Sequence, residues 1–100
     1  MSAYLIVDIT VHDPDRYQDY VRQVADFIAK HQGSYLVRGG EAQVMEGDWQ
    51  PRRLVILKFP DRGHARAFLE DPAYQAVAAI RHAAATTHAV LVDGYTENGP

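Results

Sequence analysis

The chain contains no cysteine, which removes disulfides, thiolate metal sites and thiol nucleophiles from consideration. It has no lysine or arginine run: ten basic residues against thirteen acidic ones leave a net charge of −3, and no basic stripe is present to follow a nucleic-acid backbone. Its apolar runs are far shorter than a membrane span, and the start, MSAYLIVD, lacks the charged-then-apolar layout of a secretory leader. Neither HxxxH nor HxH spacing occurs among His12, His31, His64, His82 and His88, so no pair is set to place two ring nitrogens on one metal. Ser-His-Asp order and a nucleophile elbow are missing, and no helix begins after Gly39-Gly40 to cradle a phosphate. These absences predict a cytoplasmic protein without metal or cofactor, bound neither to nucleic acid nor to a membrane.

What is present suffices for a packed core. Hydrophobic residues make up 47% of the 100 and charged residues 23%, which predicts one domain over 1–100 with an ordered core over about 3–95. Residues 3–11 alternate as a strand does. Asp13-Pro14 then supplies an N-cap with proline at the first helical position. Tyr17, Tyr20, Val21, Val24, Phe27 and Ile28 follow at helical spacing, and Gly33 is placed to stop that helix. A second strand starts at Ser34 and breaks at Gly39-Gly40, where a bulge or sharp bend is expected before a further extended run. A turn-forming segment after Gly47 leads to a third strand over 53–59. Pro60-Asp61 opens a helical piece in which Ala65, Phe68 and Leu69 share a face. Asp71-Pro72 opens a second piece, kinked against the first, with Tyr74, Val77, Ala78 and Arg81 as its stripe. A last strand is expected over 88–95, and residues 96–100 read as a frayed tail.

The resulting order, βαββαβ, is the ferredoxin-like α+β arrangement: a four-stranded antiparallel sheet with helices on one face. Alternation assigns Leu5, Val7, Ile9, Val11, Val55, Leu57, Phe59, Val90 and Val92 to the helix side. It leaves Tyr4, Ile6, Asp8, Thr10, Leu54, Ile56, Lys58, Ala89, Leu91 and Asp93 on the other. That second face is too apolar to stay wet, which predicts a homodimer packed sheet on sheet. Tyr4, Asp8, Lys58 and Asp93 are its expected interface residues, the charged ones fixing register and partner choice.

Six pieces of the chain together resemble a known family. They are Tyr35-Leu36-Val37-Arg38-Gly39-Gly40, Glu46-Gly47-Asp48-Trp49-Gln50-Pro51-Arg52-Arg53, Phe59-Pro60, Asp71-Pro72-Ala73-Tyr74-Gln75, Arg81 and Val92-Asp93-Gly94. The chain resembles the domain-of-unknown-function family numbered 1330, within the dimeric α/β-barrel superfamily. The resemblance implies two ferredoxin-like subunits whose sheets face each other, each with a cleft between its sheet and helices. It implies no particular reaction.

The candidate cleft residues are Tyr35, Arg38, Trp49, Tyr74 and Arg81. A guanidinium fork at Arg38 or Arg81 suits a carboxylate or enolate oxygen, while Tyr35, Trp49 and Tyr74 supply walls. Each has a plainer reading: Arg38 paired with Asp8, Glu46 or Asp93; Arg81 lying along apolar surface with its head in water; Tyr74 and Tyr35 as packing; Trp49 covering an interface or exposed without function. His82 and His88 are the candidates for proton transfer, although His82 points about 100° away from Arg81 around a helix. Three functions fit these residues: non-catalytic binding of a small anionic or carbonyl-bearing molecule, a cofactor-independent enzyme of the monooxygenase or isomerase kind using the same cleft, and a structural dimerisation module. Whether any reaction is catalysed is left open.

Overall fold

The computed structural model describes residues 1–96, so the expected tail falls, from 97 on, outside the described residues. The elements run β1 (Ala3–Val11), α1 (Pro14–Lys30), β2 (Ser34–Arg38), β3 (Arg53–Phe59), α2 (Arg62–Glu70), α3 (Pro72–Ala84) and β4 (Ala85–Asp93). All strand pairs are antiparallel and the sheet order is β2-β3-β1-β4, which puts β1 between β3 and β4. The core lies between the sheet and the helices. It is built on Leu5, Ile9, Val55, Leu57 and Phe59 from below and Tyr20, Val24, Ile28, Phe68 and Tyr74 from above.

Helix starts follow the capping chemistry. Asp13 accepts from the backbone N–H of Arg16 at 3.2 Å, with Pro14 next in line. Asp61 caps α2 and Asp71 caps α3 in the same way, so the helical stretch divides at Asp71-Pro72 as expected. The end of α1 differs from expectation. Gln32, not Gly33, takes the left-handed conformation (φ 63°), and Gly33 N–H donates to Ile28 C=O while Gln32 N–H donates to Ala29 C=O. This is a Schellman closure with Gln32 at C′ and Gly33 one residue beyond. Gly33 is needed for closeness: a β-carbon there would sit 2.6 Å from Phe59 Cε1 and 2.9 Å from Ile28 Cγ2.

The last strand begins earlier than expected and in the opposite phase. β4 starts at Ala85, directly from α3, with no turn residue between. The small side chains of Ala84 and Ala85 are both buried, and the Ala84 carbonyl accepts from His12 N–H and Asp13 N–H at 2.8 and 3.0 Å. The register then runs Val11↔Ala85, Ile9↔Thr87, Val7↔Ala89 and Leu5↔Leu91. Residues directly opposite share a face, so Thr87, Ala89, Leu91 and Asp93 lie on the helix side. Val90 and Val92 lie on the outer side, 60% and 45% exposed. The assignment of Val90 and Val92 to the core, and of Ala89, Leu91 and Asp93 to the outer face, is therefore corrected. The strand is set by where α3 ends, and an offset of one residue turns every side chain over.

The break in β2 is also displaced. Tyr35 pairs with Leu57, Val37 with Ile56 and Arg38 with Val55, leaving Leu36 as a bulged residue ahead of the two glycines. Gly39 (φ 70°) makes the bend that ends the strand. Residues 39–52 contain no strand, so the further extended run expected there is absent.

Candidate functional site

The bulge at Leu36 shapes the site. Tyr35 and Arg38 are three apart, a spacing that would set them on opposite faces of a regular strand. With Leu36 left out of the ladder, both face the helices, opposite Leu57 and Val55. The Arg38 guanidinium lies 4.8 Å from the centre of the Tyr35 ring. Arg53 enters the same space as the first residue of β3. It is paired with Ile9, which on its other side is paired with Thr87. Its guanidinium carbon is 5.8 Å from the centre of the Tyr17 ring. A β-carbon at Gly39 would meet that guanidinium, the movable end of a long side chain, so it is the positive φ of 70° that calls for glycine here.

The helices close the far wall. Tyr74, from the first turn of α3, stacks on Phe68 at 4.2 Å between ring centres, and its hydroxyl is 2.9 Å from that of Tyr20. About two turns further on, Arg81 turns inward. Its Nη1 donates to Thr87 Oγ1 at 2.6 Å, its Nη2 donates to His82 Nε2 at 3.3 Å, and its Cζ is 5.5 Å from the Tyr20 ring centre. The head of Arg81 is thus half-buried and tied to Thr87, and His82, whose place on the helix did not require it to cooperate with Arg81, touches it. Burial pushes the Tyr20 hydroxyl up, reinforced by Tyr74, so it stays a neutral donor. Burial likewise raises Tyr35, against the pull of Arg38. Burial works against the Arg81 charge, but Tyr20 and Tyr74 beside it more than offset this and its pKa rises.

Together these groups bound a cavity of about 80 Å³ between sheet and helices. Arg38, Arg53 and Arg81 line it, with four tyrosines, Thr87 and a body of aliphatic side chains; no carboxylate is among the lining residues. Of the five candidate cleft residues, Tyr35, Arg38, Tyr74 and Arg81 come together here. Trp49 does not: it is 60% exposed and its indole N–H donates to Asp8 on the outer side of the sheet. None of the intramolecular pairs considered for Arg38 forms among the described residues. Sequence reasoning missed Arg53, Tyr17, Tyr20 and Thr87. Arg53 was within reach of it, because it precedes Val55, Leu57 and Phe59 in their own phase. Among the described residues no three histidine or acidic side chains are grouped to hold a metal.

The outer face carries Tyr4, Ile6, Asp8, Leu54, Ile56, Lys58, Val90 and Val92. Asp8 accepts from Trp49 Nε1 and from the Arg52 backbone N–H, both at 3.0 Å, and so fastens the long loop to the sheet. Asp93 is not part of this face. It stands opposite Ala3 on the helix side and accepts from Arg62 Nε at 3.2 Å. The expected cluster of Asp8, Lys58 and Asp93 is therefore not formed.

Comparison with known proteins places the fold. A protein of unknown function from Rhodopseudomonas palustris matches with a TM-score of 0.78 at 14% identity, over 95% of this chain and 83% of that one. A dimeric ferredoxin-like protein of unknown function from Jannaschia matches at 0.66 and 13%, over 94% and 100%. The cofactor-independent oxygenase SnoaB of Streptomyces nogalater matches at 0.62 and 16%, over 99% and 98%. At these identities the likeness is one of fold, the ferredoxin-like fold. No match to a curated protein was found. The family model described as "Domain of unknown function (DUF1330)" matches residues 2–95, and the chain belongs to that family.

Proposed function

We propose that the protein is a small-molecule-binding homodimer whose cleft takes an anionic ligand with an apolar body. The observation that carries this is the charge of the cavity: three guanidinium groups face an otherwise apolar space with no carboxylate among its lining residues. Bringing positive charge together without a counterion is unfavourable, and a ligand carboxylate or enolate oxygen supplies what is missing. Such a bond to a charged donor contributes about 1.5–3 kcal/mol. In a titration calorimeter, carboxylates should bind and their neutral amides should not. Arg38→Ala should weaken binding about tenfold or more while leaving the dimer intact. Unchanged binding with a lost dimer would instead favour a module built for dimerisation.

A second reading, a cofactor-independent enzyme, is favoured by one feature. The Tyr20–Tyr74 hydroxyl pair next to Arg81 offers hydrogen-bond donors beside a fixed positive charge. It requires a turnover that Tyr20→Phe abolishes without loss of ligand affinity.

A further inference from the structure

Residues 39–52 are a long connection for so small a domain. They contain no helix or strand, and loops of this length are uncommon unless they serve a function. The segment is tied down only near its ends: Gly39 N–H donates to Leu54 C=O at 2.8 Å, and Trp49 and Arg52 are fastened to Asp8. Residues 40–48 between these points are all exposed, Val44 and Met45 among them at 42% and 83%. This arm stands on the outer side of the sheet, where it bounds a hollow together with Val37 and Leu54. It is also charged with one sign. Glu41, Glu46 and Asp48 lie in it, no basic residue occurs from 39 to 51, and none of the three acids is in an ion pair among the described residues.

The complement of the arm lies on the same face at the other end of the strands. Lys58, Tyr4 and Val92 stand side by side in one row across β3, β1 and β4. Lys58 is exposed and in no ion pair among the described residues, and Val92 is 45% exposed. Asp8, where the arm is fastened, is about 13 Å along β1 from Tyr4. We infer that in the homodimer the arm of each subunit crosses to the other and lies on the partner's Lys58–Tyr4–Val92 row, with Val44 and Met45 against Tyr4 and Val92 and the arm's carboxylates around Lys58. This rests on the homodimer proposed above and says what holds it. A two-fold axis along the middle row of the face, Val37, Ile56, Ile6 and Val90, exchanges the two ends of the sheet and makes the contact twice. An axis along the strands would instead set arm on arm, three carboxylates against three, which like-charge repulsion opposes.

The chain has no cysteine, so an introduced thiol has no competitor. The test uses Met45→Cys and Val92→Cys, each alone and mixed in equal amounts, left reduced until subunits exchange and then oxidised. Both positions are exposed, so neither change disturbs the core. Non-reducing electrophoresis follows the covalent dimer, and sedimentation velocity of the reduced proteins gives the oligomeric state. The mixture should cross-link about tenfold or more faster than either variant alone. Met45→Cys cross-linking by itself as fast as the mixture overturns the proposal, because arm then meets arm. Val92→Cys doing so overturns it as well, because the two rows then meet each other. A reduced dimer whose mixture cross-links no faster than the single variants overturns the arm contact and leaves the homodimer standing. A reduced monomer overturns both. Lys58→Glu should raise the dimer dissociation constant several-fold at low salt and less at high salt; a constant unchanged at both overturns the pairing of the acidic arm with Lys58.

Discussion

Asp71 ties three helices at one point. Its Oδ2 accepts from Lys30 Nζ and His31 Nε2, both at 2.8 Å, and its Oδ1 accepts from Ala73 N–H at 2.9 Å, capping α3. Its own N–H closes α2 on Phe68 C=O. The hydrogen bond from Lys30, then that from His31, holds the carboxyl well below the usual carboxylate range. A depressed folded-state pKa contributes stability that is present in full above the unfolded value of about 3.9 and is lost as pH falls below it toward the folded value. Asp71→Asn keeps most of the shape but not the charge. It should lower the melting temperature at pH 7 and flatten the fall in stability between about pH 4 and pH 2, relative to wild type. Thermal melts across that range check it; parallel curves for the two proteins would mean that the three-helix contact does not depend on the carboxylate charge. Asp71-Pro72 was readable as a cap because an acid before proline has a local meaning. Its hold on Lys30 and His31 was not, because those residues are 41 and 40 positions away and meet it only through packing.

At the scale of elements, the same division between local and distant information recurs. The order βαββαβ, the starts of all three helices and the break at Asp71 were legible, since each depends on neighbours in sequence. The phase of β4 was not. It depends on α3 running into the strand at Ala84 and Ala85, two alanines with no turn signal. The bulge at Leu36 was equally silent, though it alone puts Tyr35 and Arg38 on one face. Gly33 is required after α1 for closeness and Gln32 carries the handed turn, so the two positions respond oppositely to substitution. Gln32 holds φ 63° without glycine's freedom, so Gln32→Gly should stabilise the protein by up to about 1 kcal/mol. Gly33→Ala should destabilise it by about 1–3 kcal/mol, because the added methyl must displace Phe59 or Ile28 in a packed core. Urea unfolding of both variants measures the two differences. If Gly33→Ala were the stabilising one, the close approach to Phe59 would not be a constraint.

The whole molecule is a slab with one finished face. Its Cα extents are 45 × 37 × 16 Å and its radius of gyration is 14.1 Å, against about 13 Å for a compact chain of this length. Across the middle of the unfinished face runs an apolar row from every strand: Val37, Ile56, Ile6 and Val90, each opposite the next. Burying half a dozen side chains of this kind is worth on the order of 10 kcal/mol, comparable with the 4–15 kcal/mol that association costs. The balance is close enough for one charge to tip it. Val90→Glu puts a carboxylate into the row, where pairing two sheets would bury it twice by symmetry. Sedimentation velocity at about 10 µM should find the wild type dimeric and Val90→Glu monomeric. A wild-type monomer under those conditions would refute the sheet-on-sheet dimer. The cleft lies on the opposite side of the sheet, and every group argued to hold the ligand comes from the same chain. The Val90→Glu monomer should therefore bind a carboxylate ligand as the dimer does. If it assembles as a monomer yet no longer binds, the partner subunit completes the site, and the cleft of one chain is only half of it.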